Sequence, residues 1–235
     1  QIVPVPMDLS VVFEDEHVLV IDKPAGMPVH PSQGHYENTL ANGIAWYYRN
    51  EATPFVFRAV NRLDRDTSGL VLLAKNPYSS CVLSDAVKDH TIHREYAAIV
   101  SGKTDASGTI DLPIARKDGS TIERVCDPER GETAVTHYRT FAYNKDADIS
   151  FIRLLLETGR THQIRVHMKA IGHPLPGDFL YCPDYRFIDR QPLHSTYLRF
   201  SHPVTGEKLE FSASLPEDMR KLFPDIKNPS GPVFF

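Results

Sequence analysis

Short β-rich runs, each closed by a turn signal, recur along most of the chain and limit what it can fold into. Residues 70–73, 96–100, 133–141, 149–157, 196–201 and 208–212 are rich in β-branched and apolar side chains and too short for helices. Polar residues 144–148 separate two of these runs as a hairpin turn would, and Pro203-Val204-Thr205-Gly206 separates another two. Residues 11–21 are apolar at both ends around Glu14-Asp15-Glu16, which predicts two strands joined by an acidic turn. Helices are fewer. Leu40, Ile44 and Tyr47 or Tyr48 recur at helical spacing, with Asn38 or Thr39 placed to cap. Asn76-Pro77 opens a helix running to about Lys88, and Thr158-Gly159 leads into one ending at Gly172. Residues 104–132 read as a loop-rich excursion with short strands. The pattern predicts an α+β fold on a mixed sheet, in one domain spanning residues 1–235.

Composition narrows the function classes. No run approaches the roughly 18 apolar residues that cross a bilayer, and no basic segment followed by an apolar one opens the chain, so a cytoplasmic protein is expected. Cys81, Cys126 and Cys182 lie far apart without CxxC spacing, which argues for reduced, buried thiols and against a zinc ribbon. The net charge of −4 argues against a protein that coats nucleic acid indiscriminately. One segment departs from that balance. Residues 158–177 hold Arg160, Arg165, Lys169, His162, His167 and His173 with no Asp or Glu. Taken alone, such a cluster is better accounted for by an ordinary basic helix face.

The most unusual stretch is Asn61-Arg62-Leu63-Asp64-Arg65-Asp66-Thr67-Ser68-Gly69. Two carboxylates and two guanidiniums crowd a turn ahead of an apolar strand, and a carboxylate near positive charge stays ionised, as a nucleophile must. Salt bridges that merely fix the entry to a strand are the alternative. Asp64 and Asp66 also suggest a paired-carboxylate glycosidase. Eleven histidines raise metal hydrolysis, but His162 and His167 are five apart rather than at the four-residue spacing of a helical metal pair.

Arg62-Leu63-Asp64 followed by Thr67-Ser68-Gly69 resembles the catalytic motif of the RluA-type pseudouridine synthase family. Lys23-Pro24-Ala25-Gly26-Met27-Pro28-Val29-His30 is similar to its amino-terminal element. Gly159-Arg160-Thr161-His162-Gln163-Ile164-Arg165-Val166-His167, continued by Gly172-His173-Pro174 and Gly177-Asp178, is similar to a third, and Leu193-His194 and the turn from His202 to Glu207 resemble the carboxy end. The likeness runs from about residue 11 to about residue 215. Asn61 departs from it, standing where the family often has His.

The resemblance implies a pseudouridine synthase fold, with a mixed, largely antiparallel sheet, flanking helices and a central RNA-binding cleft, and with no S4-like module. It implies an isomerase that rejoins a uridine's sugar to ring carbon 5 in structured RNA, ribosomal or transfer, after flipping the base out. Asp64 becomes the essential carboxylate, Arg165 the cation paired with it, and Tyr96 the ring that stacks on the uracil. Arg62 is the candidate for bracing the gap or contacting phosphate. Arg160, His162 and Lys169 are phosphate contacts or helix-surface charge. No cofactor, metal, membrane or obligate protein partner is implied, and a monomer is the default. A module that keeps the fold and binds RNA without chemistry is the non-enzymatic alternative.

Overall fold

The computed structural model describes residues 2–32, 34–51, 55–226 and 231–234. In chain order its elements are β1 (Ser10–Glu14), β2 (Val18–Lys23), α1 (Leu40–Tyr47), β3 (Ser68–Ala74), α2 (Pro77–Lys88) and β4 (His93–Ser101). There follow β5 (Ser107–Asp111), β6 (Ile114–Arg116), β7 (Arg124–Cys126), β8 (Val135–Asn144) and β9 (Ile149–Leu156). The chain ends through α3 (Gln163–Ala170), β10 (Leu193–Ser201), β11 (Lys208–Ser212) and α4 (Glu217–Leu222). Two compact units result, Gln1–Ile92 with Tyr197–Ala213, and His93–Thr196 with Ser214–Phe235.

In the first unit β1, β2 and β3 form an antiparallel ladder, with Val18 opposite Ala74 and Lys23 opposite Gly69. The acidic turn between β1 and β2 closes on the Asp15 carboxylate, which accepts the backbone N–H groups of His17 and Val18. All of β3 is buried, so both faces of that strand are covered and its apolar run needs no polar alternation. Val20, Leu70, Leu72, Leu83 and Phe200 share one core. Both helices start where the sequence says they should. The Thr39 side chain and Asn42 form a reciprocal capping box, and the Asn76 side chain accepts from the Ser79 N–H ahead of α2.

In the second unit the strand order is β4-β9-β8-β5, every neighbour antiparallel, and β6 and β7 make a separate hairpin. Phe151, Ile99, Met219 and Phe223 form the core beneath α4. These strands and helices are the α+β, largely antiparallel architecture expected from the sequence.

Three details differ from the sequence expectations. α3 starts at Gln163 rather than near Gly159, because His162 adopts a left-handed conformation with φ 58°. α4 went unforeseen, since six residues are too few to show periodicity. The three cysteines are free as expected but not buried: Cys81 is exposed on α2, and Cys126 and Cys182 are half-buried. Among the described residues no helix is long and apolar enough to cross a membrane, and no group of three or more His, Cys, Asp or Glu is placed to hold a metal ion.

Candidate active site

The loop that carries Asp64 is fastened at several points within the first unit. Its approach runs beside β3, where the Val60 N–H donates to Leu72 O and the Ala74 N–H to Arg58 O. Asn61 is buried and extends this ladder with its side chain: Oδ1 accepts from the Leu72 N–H at 2.8 Å and Nδ2 donates to Leu70 O at 3.2 Å. The departure from His is therefore filled by a side-chain amide that imitates a peptide group. Leu63 is buried, Arg62 exposed and Asp64 half-buried. The Thr67 N–H donates to Asp64 O and closes the turn.

Lys23 binds this turn to the amino-terminal element. Its ammonium is fully buried and donates to Pro24 O at 2.8 Å, Met27 O at 2.8 Å and Arg65 O at 3.1 Å. The carbonyl next to Asp64 is thus fixed by a charge-assisted bond from a residue forty-two positions earlier. Arg65 and Asp66 clasp each other through two hydrogen bonds, which commits Asp66 to its neighbour and weakens the paired-carboxylate alternative. Arg62 makes no hydrogen bond or ion pair among the described residues. Burial, helped by the Arg62 charge, holds the His30 imidazole below its ordinary pKa.

The second unit holds the other candidates. Tyr96 is buried on β4 opposite Leu154 of β9, and Leu154 lies opposite Tyr138 of β8, so these side chains share one sheet face. Thr136, two residues from Tyr138, is on that face as well and receives α3. Gln163 Nε2 and His167 Nδ1 both bond its hydroxyl, at 3.0 and 2.8 Å. α3 is thereby seated on the face that carries Tyr96.

Arg165 is buried on α3, and its guanidinium forks onto Asp178: Nε donates to Oδ2 at 2.6 Å and a terminal nitrogen to Oδ1 at 2.8 Å. Asp178 Oδ1 also accepts the Leu180 and Tyr181 N–H groups, so one carboxylate sets both the guanidinium and the following turn. Gly177 makes that turn possible. Its φ is +80°, and a Cβ there would come within 2.5 Å of the Ile188 and Arg190 carbonyl oxygens.

Tyr181 gathers several of the cationic candidates. Arg165 Cζ lies 5.0 Å and Lys169 Nζ 5.5 Å from its ring centroid, and its hydroxyl bonds His162 Nδ1 and accepts the Arg124 N–H from β7. Arg160 is placed differently: its guanidinium pairs with Glu132 and donates to Thr133 O, so much of its charge is already spent. The segment that looks purely cationic in sequence is therefore partly neutralised by Glu132 and Asp178, which lie outside it. The Lys169 ammonium stays exposed, with no hydrogen bond or ion pair among the described residues. Sequence reasoning missed the roles of Lys23, Asp178 and Tyr181. The first two lie in the quoted motifs, whereas nothing in the sequence singles out Tyr181.

A carboxylate turn of this sequence on an α+β scaffold defines a class of RNA-modifying isomerases. Residues 17–170 match the family model for RNA pseudouridylate synthase. An uncharacterized RNA pseudouridine synthase of Bacillus subtilis, YjbO, is 47% identical over 220 residues, covering 93% of this chain and 76% of that protein. The ribosomal large subunit pseudouridine synthase D of Zymomonas mobilis is 42% identical over 240 residues, covering 94% of this chain and 73% of that one. The solved structure of human RNA pseudouridylate synthase domain containing 1 shares the fold, with TM-score 0.73 over 95% of this chain and 97% of that one at 23% identity. The chain belongs to the RNA pseudouridylate synthase family, isomerases that act on RNA.

Proposed function

We propose that the chain converts a specific uridine of large-subunit ribosomal RNA to pseudouridine, with Asp64 as the essential carboxylate. The observation that carries this is the cradle around Asp64. A half-buried carboxylate stands on a turn fixed through Lys23, Asn61 and the Thr67 N–H, two residues from an exposed guanidinium with no partner among the described residues. Such fixation suits a group that must meet one sugar or ring atom at a set distance.

The reaction breaks the bond from N1 to the sugar, turns the uracil while it stays bound, and forms a bond from carbon 5 to the same sugar carbon. Carbon 5 loses its proton to water and N1 gains one, so the change is an isomerisation without redox. Asp64 attacks the sugar or the ring, or removes a sugar proton; each route needs it ionised. Tyr96 stacks on the uracil, Arg165 supplies the positive charge near the carboxylate, and Arg62 fills or braces the gap left by the flipped base. Arg160, His162 and Lys169 are assigned to the RNA backbone, with Lys169 the strongest of the three because its charge is free of carboxylates. Ribosomal rather than transfer RNA is favoured by relatives about 40% identical to this chain that are ribosomal large subunit pseudouridine synthases.

The test is tritium release from a large-subunit ribosomal RNA transcript labelled at uracil carbon 5. Wild type is expected to release tritium, and Asp64→Asn to lose activity at least about a thousandfold while keeping its fold. Release by Asp64→Asn at the wild-type rate would sink the assignment. Free uracil among the products would point to the glycosidase alternative.

A further inference from the structure

The turn after Asp178 presents an aromatic ring that no step of the proposed chemistry uses. Phe179 follows the carboxylate that forks Arg165, and its side chain is 48% exposed. Its neighbours are held firmly. Asp178 Oδ1 accepts the Leu180 and Tyr181 N–H groups, the Cys182 N–H donates to Asp178 O, and Gly177 is wedged against two carbonyl oxygens. A rigid turn that leaves a large apolar ring about half exposed forgoes part of the burial such a ring normally gains.

The charges around it point to what the ring meets. Arg165 Cζ lies 5.8 Å from the Phe179 centroid and 5.0 Å from that of Tyr181. Lys169 also meets the Tyr181 ring, its Nζ 5.5 Å from the centroid, and offers an exposed ammonium with no hydrogen bond or ion pair among the described residues. A half-exposed aromatic ring, linked through Arg165 and Tyr181 to an unneutralised cation, is a pairing that suits single-stranded nucleic acid, base on ring and phosphate on cation. A protein partner would more often cover such a ring with a wider apolar patch, yet Tyr181 beside it is buried and Leu180 is half-buried against the core that holds Val166.

We propose that Phe179 is a stacking platform for an unpaired base of the substrate RNA, next to the target uridine in the strand, with Lys169 taking the phosphate of the same nucleotide. The ring binds without joining the chemistry. This rests on the reading of the chain as an enzyme of RNA, and the test separates the two.

Full-length Phe179→Ala, Phe179→Leu and Phe179→Trp are compared with wild type on the labelled ribosomal transcript. Equilibrium binding of the same transcript is measured with each change placed in Asp64→Asn. Loss of one base–aromatic stack raises KM and Kd about tenfold or more for Ala and Leu, with kcat unchanged. Trp restores both, because it offers a π-face, whereas Leu refills only volume. Equal KM and Kd for Phe179→Ala and wild type would overturn the platform, as would rescue by Leu as complete as by Trp. If wild type releases no tritium, the proposed function fails. The binding arm still decides Phe179: a weakened Kd supports the platform, and an unchanged Kd removes it.

Discussion

Arg165 is the residue at which motif and energetics meet. The guanidinium is 2% exposed and its Asp178 partner 0%, so neither ion has much water left to solvate it. Moving such a pair out of water costs several kcal/mol per ion, offset only where the geometry is good and the remaining lone pairs are filled. Both conditions hold, because the fork is bidentate and two backbone N–H groups complete the Asp178 shell. Asp178→Asn keeps the shape but removes the charge and turns one acceptor into a donor facing the guanidinium. It is expected to lower the unfolding free energy by about 3 kcal/mol in urea titration. A loss below about 0.5 kcal/mol, the size of an ordinary surface change, would show that the pair contributes little. The compact motif singles out Arg165 in the sequence, but as the partner of Asp64, not of the Asp178 onto which it forks. Asp178 was quoted in the same motif but given no role, since nothing in a thirteen-residue separation says that two side chains meet.

α3 shows what an element can hide from its sequence. Its helical pattern was plain, but its start was not, because the Gln163 side chain rather than a Ser, Thr, Asn or Asp organises the first turn. Gln163 Oε1 accepts from the Thr158 hydroxyl and the Arg160 N–H, while Nε2 donates to Val135 O and the Thr136 hydroxyl. One turn on, His167 is buried between the Thr136 hydroxyl and Leu112 O. The carbonyl calls for a proton on Nε2, and the Thr136 hydroxyl, which accepts from Gln163, can donate to Nδ1, an arrangement that suits a neutral ring. Burial holds its pKa below 6.5 in the fold, against the weaker opposing effects of Leu112 O and Asp111. Below pH 6.5 the unfolded chain binds a proton that the native ring resists. The stability His167 confers is therefore whole above that pH and declines as pH falls towards the folded value. In His167→Gln, stability is expected to change less steeply between about pH 7 and 5, by up to about 1.4 kcal/mol per pH unit. Matching slopes for the two proteins would refute the assignment. By contrast α2 was legible to its first residue and α1 to within one, since Asn76 and Thr39 cap by short local contacts that the sequence spells out.

At the scale of the whole molecule the question is how a chain of net charge −4 holds a polyanion. Most of its well-placed arginines are already answered by carboxylates: Arg153 by Glu95, Arg165 by Asp178, Arg190 by Asp218, Arg160 by Glu132 and Arg130 by Asp118 and Asp127. Other cations remain to displace counterions from RNA. Arg62 and Lys208 in one unit, and Lys103, Arg116, Lys145, Lys169 and Arg220 in the other, are exposed, with side chains making no hydrogen bond or ion pair among the described residues. Arg116 stands directly opposite Arg124 in the β6–β7 hairpin, a like-charge pairing that an approaching phosphate would relieve. Three or four phosphate contacts to unpaired RNA imply that log K falls with log salt at a slope of only about −2 to −3. Removing either the Arg62 or the Lys169 charge should flatten that slope by about 0.7. Titration of the ribosomal transcript across salt concentrations measures it for wild type, Arg62→Ala and Lys169→Ala. A wild-type slope of about −6 or steeper would mean that a much larger basic surface captures the RNA than these free side chains provide. A shallow slope leaves discrimination to stacking, shape and the flipped uridine, as a net negative enzyme selecting one nucleotide in a large RNA requires.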